Sequence, residues 1–358
     1  MKKYILLYVT MSLLASCGTD KDDTAGYVAI PAEIATPLLF QQLIPEAVMP
    51  EDNPLTEEGI ALGKRLFYDT RLSLDNSISC ASCHKPPEGF SDSRALSIGV
   101  DGTPGTRNSM PLVNLAFNFS GNFNWDGSAA TLEAQHEGPI LSPVEMHNNW
   151  PNLTATLDAD TSYPLQFEQA FNVTTITKTE VTKALAQFVR TMVSGNSKFD
   201  KHLLGEATLT QQEQNGLDVF LDETRGDCFH CHGSPTNPLW TDNAFHNNGL
   251  DTSFEDRGRG AFTGDPNQFG QFRSPSLRNL VYTAPYMHDG RFETLEEVVN
   301  HYSEGLVFSD TIDPLMKAVG EGGVQLSEED KADLVAFLRS LSDPSFINNP
   351  YYLPTNTP

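Results

Sequence analysis

The chain has 358 residues, 39% hydrophobic and 20% charged, ordinary globular proportions at a length that allows two domains with their own cores. Lys plus Arg number 23 against 47 Asp plus Glu, a formal net charge of −24. That balance excludes a nucleic-acid binder and a protein that adheres to anionic membranes by charge, and it favours a basic or dipolar protein partner. The 26 Gly and 23 Pro imply more loop than a plain helical bundle needs.

The N-terminus reads as a targeting segment. Lys2 and Lys3 precede the apolar run Tyr4 to Leu14, which is too short to span a bilayer as a stable helix. Leu14-Ala15-Ser16-Cys17 then reads as a lipoprotein cleavage box, with Cys17 carrying the lipid. An ordinary secretory signal is the other reading. Cys17 is the one cysteine of five outside the paired motifs, which favours the lipoprotein. Residues 1–17 are therefore expected as signal peptide and 18–50 as a flexible tether. The globular part is expected in the cell envelope, facing the periplasm, with surface exposure left open. Membrane contact is then through the lipid anchor alone.

Thr56 predicts the cap of a helix from Glu57 to Tyr68, with two acids in its positive first turn. A polar loop leads to Cys80-Ala81-Ser82-Cys83-His84. A second apolar helix is expected over Thr179 to Met192. After a boundary near residues 200–208 the order repeats. Thr210 predicts the cap of a helix from Gln211 to about Leu221, Cys228-Phe229-His230-Cys231-His232 follows, and Ser327 to Leu341 closes the unit. Both opening helices carry Gly-x-x-x-Phe, at Gly63 to Phe67 and at Gly216 to Phe220. We read a duplication: one domain over 51–205, a second over 206–345, and a tail over 346–358. No long alternating pattern predicts strands, so the expected class is mainly α.

Each Cys-x-x-Cys-His is the attachment pattern of a c-type haem. Two thiols add to the two vinyl groups of one haem, and the adjacent imidazole supplies a nitrogen to iron. A zinc site would need a closed set of four ligands, and a redox dithiol has no reason to place His after both pairs. The sequence thus predicts two cytochrome c-like domains, each with one covalently bound haem c, held by Cys80, Cys83 and His84 and by Cys228, Cys231 and His232. His230 reads as a spacer. His136, His147, His202 and His246 read as hydrogen-bonding residues rather than ligands, and Trp150 and Trp240 as packing.

Beyond these motifs the chain resembles the bacterial dihaem cytochrome c peroxidases and their relative, the dihaem enzyme that matures tryptophan tryptophylquinone. The resemblance runs from about Pro50 to Leu341. It rests on Gly99, Arg107-Asn108, Trp125-Asp126-Gly127, Gln135, Pro143-Val144-Glu145-Met146, Ser276-Leu277-Arg278-Asn279, the run Ala284 to Gly290, and Thr294-Leu295-Glu296. It implies that peroxide reacts at the N-terminal haem and that the C-terminal haem relays electrons. It also implies roles for single residues. Glu145 is the acid that moves a proton on bound peroxide, and Gln135 is an amide that orients peroxide or water. Trp125 is the indole between the haems. The bland alternatives are solvated loop residues for the first two and core packing for Trp125.

Two positions depart from the reductively activated peroxidases. Their distal His stands where this chain has Val100, which cannot ligate iron, so the resemblance implies an N-terminal haem open to peroxide in its ferric state. Their Met on the second haem corresponds to Tyr302, as in the quinone-maturing relative. A phenolate favours ferric iron. A packed Tyr302 with Met287 or Met316 as ligand is the other reading. The resemblance also implies Ca²⁺ between the halves, held by the Asn108 side chain and the carbonyls of Thr283 and Pro285.

The expected function is H2O2 reduction with electrons from a small redox protein, a cytochrome c or a cupredoxin. Two alternatives stand beside it: an oxidase that uses peroxide to modify a protein substrate, and a non-catalytic electron-transfer cytochrome. Val100 and Glu145 speak against the last. Whether the chain forms a homodimer is left open.

Overall fold

The computed structural model describes residues 27–354. The signal segment, Cys17 and the first part of the expected tether lie outside the described residues. The architecture is helix-rich with little sheet. Among the described residues the named strands are Phe245–His246 and Phe272–Arg273, paired antiparallel.

The four long helices begin where side chains can satisfy their free N–H groups. The Thr56 hydroxyl accepts from Gly59 N–H at 3.0 Å and opens Glu57–Tyr68. Thr210 and Glu213 form a reciprocal box that opens Gln211–Leu221. Thr177 with Glu180 opens Lys178–Arg190, and Ser327 opens Glu328–Ser340. Each such cap contributes about 1 kcal/mol. The third of these helices therefore starts at Lys178 and ends at Arg190, a little earlier than the apolar spacing suggested, because Thr177 has the better capping partner.

Each opening helix crosses its closing helix in the same way. Glu57–Tyr68 packs on Lys178–Arg190, and Gln211–Leu221 packs on Glu328–Ser340. At the first crossing a Cβ on Gly63 would overlap the carbonyl of Ala184 and press on Phe188. At the second a Cβ on Gly216 would overlap the carbonyl of Asp333 and press on Phe337. One turn on, Phe67 meets Phe188 at 5.4 Å and Phe220 meets Phe337 at 5.2 Å. Glycine lets the backbones touch, and the aromatic pair fills the space beyond. Two hydrophobic cores grow from these crossings, one with Leu62, Leu66 and Leu185, the other with Leu217, Val335 and Trp240.

A buried ion pair fastens the helix Lys198–Leu203 to the second core. Arg278 donates both terminal nitrogens to Asp200, at 2.8 and 2.7 Å, and neither side chain reaches solvent. Removing one partner would strand a buried charge.

The two ends of the chain differ from the sequence reading. Residues 27–50, read as part of a flexible tether, include the helix Leu38–Leu43, whose Phe40 is fully buried against Phe117. Leu39 and Phe40, buried beside Ala116 and Phe117, are what dock it. The tail returns across the molecule: Phe346 and Tyr352 enter the first core, and Tyr352 Oη donates to the Thr191 carbonyl at 2.7 Å. Its aromatics explain why it does not hang free.

Gly63→Ala or Gly216→Ala is expected to force the helices apart at a backbone-to-backbone contact, costing about 1–3 kcal/mol. Urea unfolding should show a lowered midpoint for each, and an unchanged midpoint would contradict the shared crossing.

Candidate functional site

The first site is built on a single helical turn, Cys80–Cys83, opened by Ser79, whose N–H donates to Ser82 Oγ at 3.0 Å. His84 follows at once. Its Nδ1 donates to the Phe90 carbonyl at 2.9 Å, which fixes the ring and leaves the Nε2 lone pair free. Burial holds the His84 pKa below the ordinary imidazole value, so the ring is neutral, as a metal ligand must be. Phe90 adopts a left-handed backbone with φ 60° and is clamped by Phe346 and Tyr352 of the returning tail.

Glu145 stands beside this turn. Burial raises the pKa values of Cys80 and Cys83, and the Glu145 charge adds a smaller push in the same direction on both. Burial also raises the pKa of the Glu145 carboxyl, against a weaker opposing hydrogen bond from Ser142. Val100 is joined directly to it, with Val100 N–H donating to the Glu145 carbonyl at 2.9 Å. Gly99 lies so close to the Val144 carbonyl that a Cβ would not fit. Val100, which departs from the reductively activated peroxidases, and Glu145, which matches them, are thus neighbours held by main-chain contacts. Gln135 ends the short helix Leu132–Gln135 and is half-buried. The next residue, His136, is buried, bonded through Nδ1 to the Leu132 carbonyl, and pushed down to about 4 by desolvation.

Trp125 is buried between the halves. Its indole N–H donates to the Asn108 carbonyl at 2.8 Å, and its own carbonyl accepts from Arg273 N–H at 2.8 Å. Together with Asn108 it forms part of the wall of the second site.

That second site is a cavity of about 220 Å³ lined by Cys228, Cys231, His232, Tyr302, Met287 and Met316, with leucines and valines around them. Desolvation pushes His232 down to about 4, so it too is neutral. Its Nδ1 lies 3.3 Å from Ser274 Oγ. Tyr302 sits in a π-helical turn, His301–Gly305, that widens the end of helix Leu295–Asn300. Burial pushes its phenol up to about 12. His246, also on the cavity wall, bridges Asp313 at 2.7 Å and Asp242 at 2.9 Å. Burial would lower its pKa, but the two carboxylates overcome this and push it up to about 12. It is a hydrogen-bonding cation, not a ligand. His230 is more than a spacer: its Nδ1 lies 2.8 Å from Asp227 Oδ1.

These residues fit a haem. Two thiols and a neutral imidazole supply the attachment chemistry, and the apolar walls suit a porphyrin. Arg273 adds a further observation: it is buried, lines this cavity, and its guanidinium finds only neutral acceptors in Asn124, Asn243 and Met110. Desolvation lowers its pKa to about 10. A buried cation in that position suits the carboxylates of a haem.

Asn108, Thr283 and Pro285 line one cavity wall together. The Asn108 nitrogen donates to the carbonyls of Arg94 and Ala95, both at 3.2 Å, which leaves its oxygen as the acceptor. Among the described residues no group of three or more His, Cys, Asp or Glu is placed to hold a metal ion, so a cation here would rest on neutral oxygens.

Phe90, Arg273 and Asn248 were not singled out by the sequence. Phe90 acts through its carbonyl, which no residue code reveals, and the other two lie between motifs that do carry a signal.

Comparison with known proteins gives a consistent picture. A family model described as di-haem cytochrome c peroxidase matches residues 57–208. The chain is 39% identical over 315 residues to the methylamine utilization protein MauG of Methylorubrum extorquens, covering 86% of this chain and 85% of that one. It is 33% identical over 306 residues to the cytochrome c551 peroxidase of Nitrosomonas europaea, covering 83% and 82%. The crystal structure of a MauG-like protein associated with microbial copper homeostasis superposes with a TM-score of 0.80 at 35% identity, covering 90% of this chain and 99% of that one.

Replacing Cys80 and Cys83 by Ser is expected to halve the covalently bound haem, and so is replacing Cys228 and Cys231. Mass spectrometry and the pyridine haemochrome assay read this directly, and unchanged haem content in either variant would remove that pair from attachment.

Proposed function

This chain belongs to the di-haem cytochrome c peroxidase family, oxidoreductases that act on H2O2, and from that premise we propose that it reduces peroxide beside His84 with electrons relayed past His232 from a small redox protein. The observation that carries the reading is the join between Val100 and Glu145. A side chain that cannot ligate iron stands at the backbone of a half-buried acid, so the chain offers no imidazole here to compete with substrate.

When bound, the haem at this site supplies the iron on which peroxide is polarised and its O–O bond is broken. The chain supplies the rest. Glu145 takes the proton from the near oxygen of H2O2 and returns it to the far oxygen, which leaves as water. A carboxyl with a raised pKa suits both halves of that transfer. Gln135 orients the peroxide. His84, neutral and polarised by the Phe90 carbonyl, would hold the iron. Trp125 offers an oxidisable ring between the halves. The whole reaction consumes H2O2, two electrons and two protons and yields two waters.

A second reading, a MauG-like oxidase that uses peroxide to modify a protein, is favoured by Tyr302 and Val100 together and by the identity to MauG. Sustained H2O2 turnover with reduced cytochrome c supports the first reading over the second. Two cytochrome c-like domains with one haem c each, Ca²⁺ at Asn108, Thr283 and Pro285, and a lipid-anchored place in the cell envelope complete the proposal. No helix among the described residues is long and apolar enough to cross a membrane.

Glu145→Gln should leave peroxide access intact and slow O–O cleavage by about two to four orders of magnitude, measured by stopped-flow absorbance. Unchanged cleavage would take Glu145 out of the mechanism. Protonated Glu145 cannot accept the first proton, so the wild-type rate should fall as pH drops through its pKa. Because burial raises that pKa, the acid limb should lie above pH 4.5, the ordinary carboxyl value. The limb should vanish in Glu145→Gln.

A further inference from the structure

The cavity of the second site carries two side chains of opposite ligating character, and one amide nitrogen touches both. Asn248 Nδ2 lies 3.1 Å from Tyr302 Oη and 3.5 Å from Met287 Sδ. All three residues line the cavity together with His232 and the second cysteine pair.

Asn248 is held firmly where it is. Its carbonyl accepts from His301 Nε2 at 3.0 Å, and His301 immediately precedes Tyr302. On one side of it Asn247 donates to Ser309 and Thr311, both at 3.0 Å. On the other the Gly249 carbonyl accepts from Val307 N–H at 2.9 Å. Met287 is equally constrained. Its backbone is left-handed, with φ 74°, a conformation that costs a long side chain energy and persists only where the surroundings impose it. The sulfur and the phenol oxygen thus share one amide nitrogen.

A phenolate is a hard donor that favours ferric iron, whereas a thioether is a soft donor that favours ferrous iron and a higher potential. One axial position cannot take both. An amide has two N–H groups, and here each has a use. Donated to the phenol oxygen, an N–H stabilises the charge that ligation requires and opposes the effect of burial. Donated to the thioether, a weak acceptor, it occupies the lone pair that would bind metal. We infer that Asn248 is a positioning residue that commits the iron of the second site to Tyr302 and keeps Met287 as the excluded competitor. This rests on the reading of Tyr302 as the ligand of that iron.

The test uses the holoprotein and its ferric and ferrous spectra. Asn248→Leu should lose the tyrosinate-to-iron charge-transfer band, gain a thioether-to-iron band, and shift the midpoint potential of the second haem upward. Asn248→Asp keeps the size but offers no N–H, so it should change the spectrum in the same direction. Asn248→His restores a donor and should recover the tyrosinate band at least in part. Adding Met287→Leu to Asn248→Leu should abolish the thioether band. A tyrosinate band and potential unchanged in both Asn248→Leu and Asn248→Asp overturn the inference. A tyrosinate band lost with no thioether band in its place overturns the assignment of Met287 as competitor. Tyr302→Phe in the otherwise native protein separates the two levels: if its second-haem spectrum matches the parent, the reading of Tyr302 as ligand fails, whatever Asn248 does.

Discussion

Removal of water is the constraint on which both sites depend. The same desolvation acts on four groups, on three of them in the direction their chemistry needs and on the fourth against it. It keeps His84 and His232 neutral, so that each imidazole has a lone pair to give. It raises the Glu145 carboxyl toward the range where a proton is both accepted and returned. It raises the Tyr302 phenol to about 12, which makes the hydrogen bond from Asn248 matter. A wetter fold with the same residues would lose all of these at once. The aromatic crossings at Phe188 and Phe337, and the tail that seals Phe90, are therefore part of the chemistry as well as of the packing.

Burial also sets the cost of the charges that remain. Arg278 and Asp200 answer it by pairing at two points with each other. His246 answers it with two carboxylates. Arg273 has only neutral acceptors, and it spans the halves, from Met110 and Asn124 to Asn243. Its N–H also holds the Trp125 carbonyl. Its main chain thus holds the Trp125 backbone while its guanidinium presents positive charge to the cavity that suits a haem.

Much of this was readable from residue order. The caps at Thr56 and Thr210, the repeated glycine and phenylalanine of the opening helices, and the two Cys-x-x-Cys-His motifs are local signals. Each reports on a few adjacent residues whose spacing is set by helix or haem geometry. The departures at Val100 and Tyr302 were readable because flanking motifs fix their register. What could not be read is non-local or belongs to the main chain. The Phe90 carbonyl serves His84 only because its backbone turns left-handed, and no side chain advertises that. Asn248 meets Tyr302 across 54 positions. Phe40, Phe346 and Tyr352 sit in segments whose composition suggested a tether and a tail, and only the grooves they fill show otherwise.

The repeat of one unit makes the differences between its copies informative. Both imidazoles follow a Cys-x-x-Cys turn, and both are neutral, yet they are supported unequally. His84 donates to a buried carbonyl at 2.9 Å, held by a left-handed residue and clamped by two aromatic rings. His232 faces a hydroxyl at 3.3 Å, and that hydroxyl already donates to the Cys231 carbonyl at 3.1 Å. A short bond to a fixed carbonyl makes the first imidazole the stronger electron donor to whatever it ligates. The second half places its strong donor on the other side, in the phenol of Tyr302 held by Asn248. Under the proposed function, His84 would be the stronger donor at the first site and Tyr302 at the second. That division would suit the first site to reaction with peroxide and the second to relaying electrons.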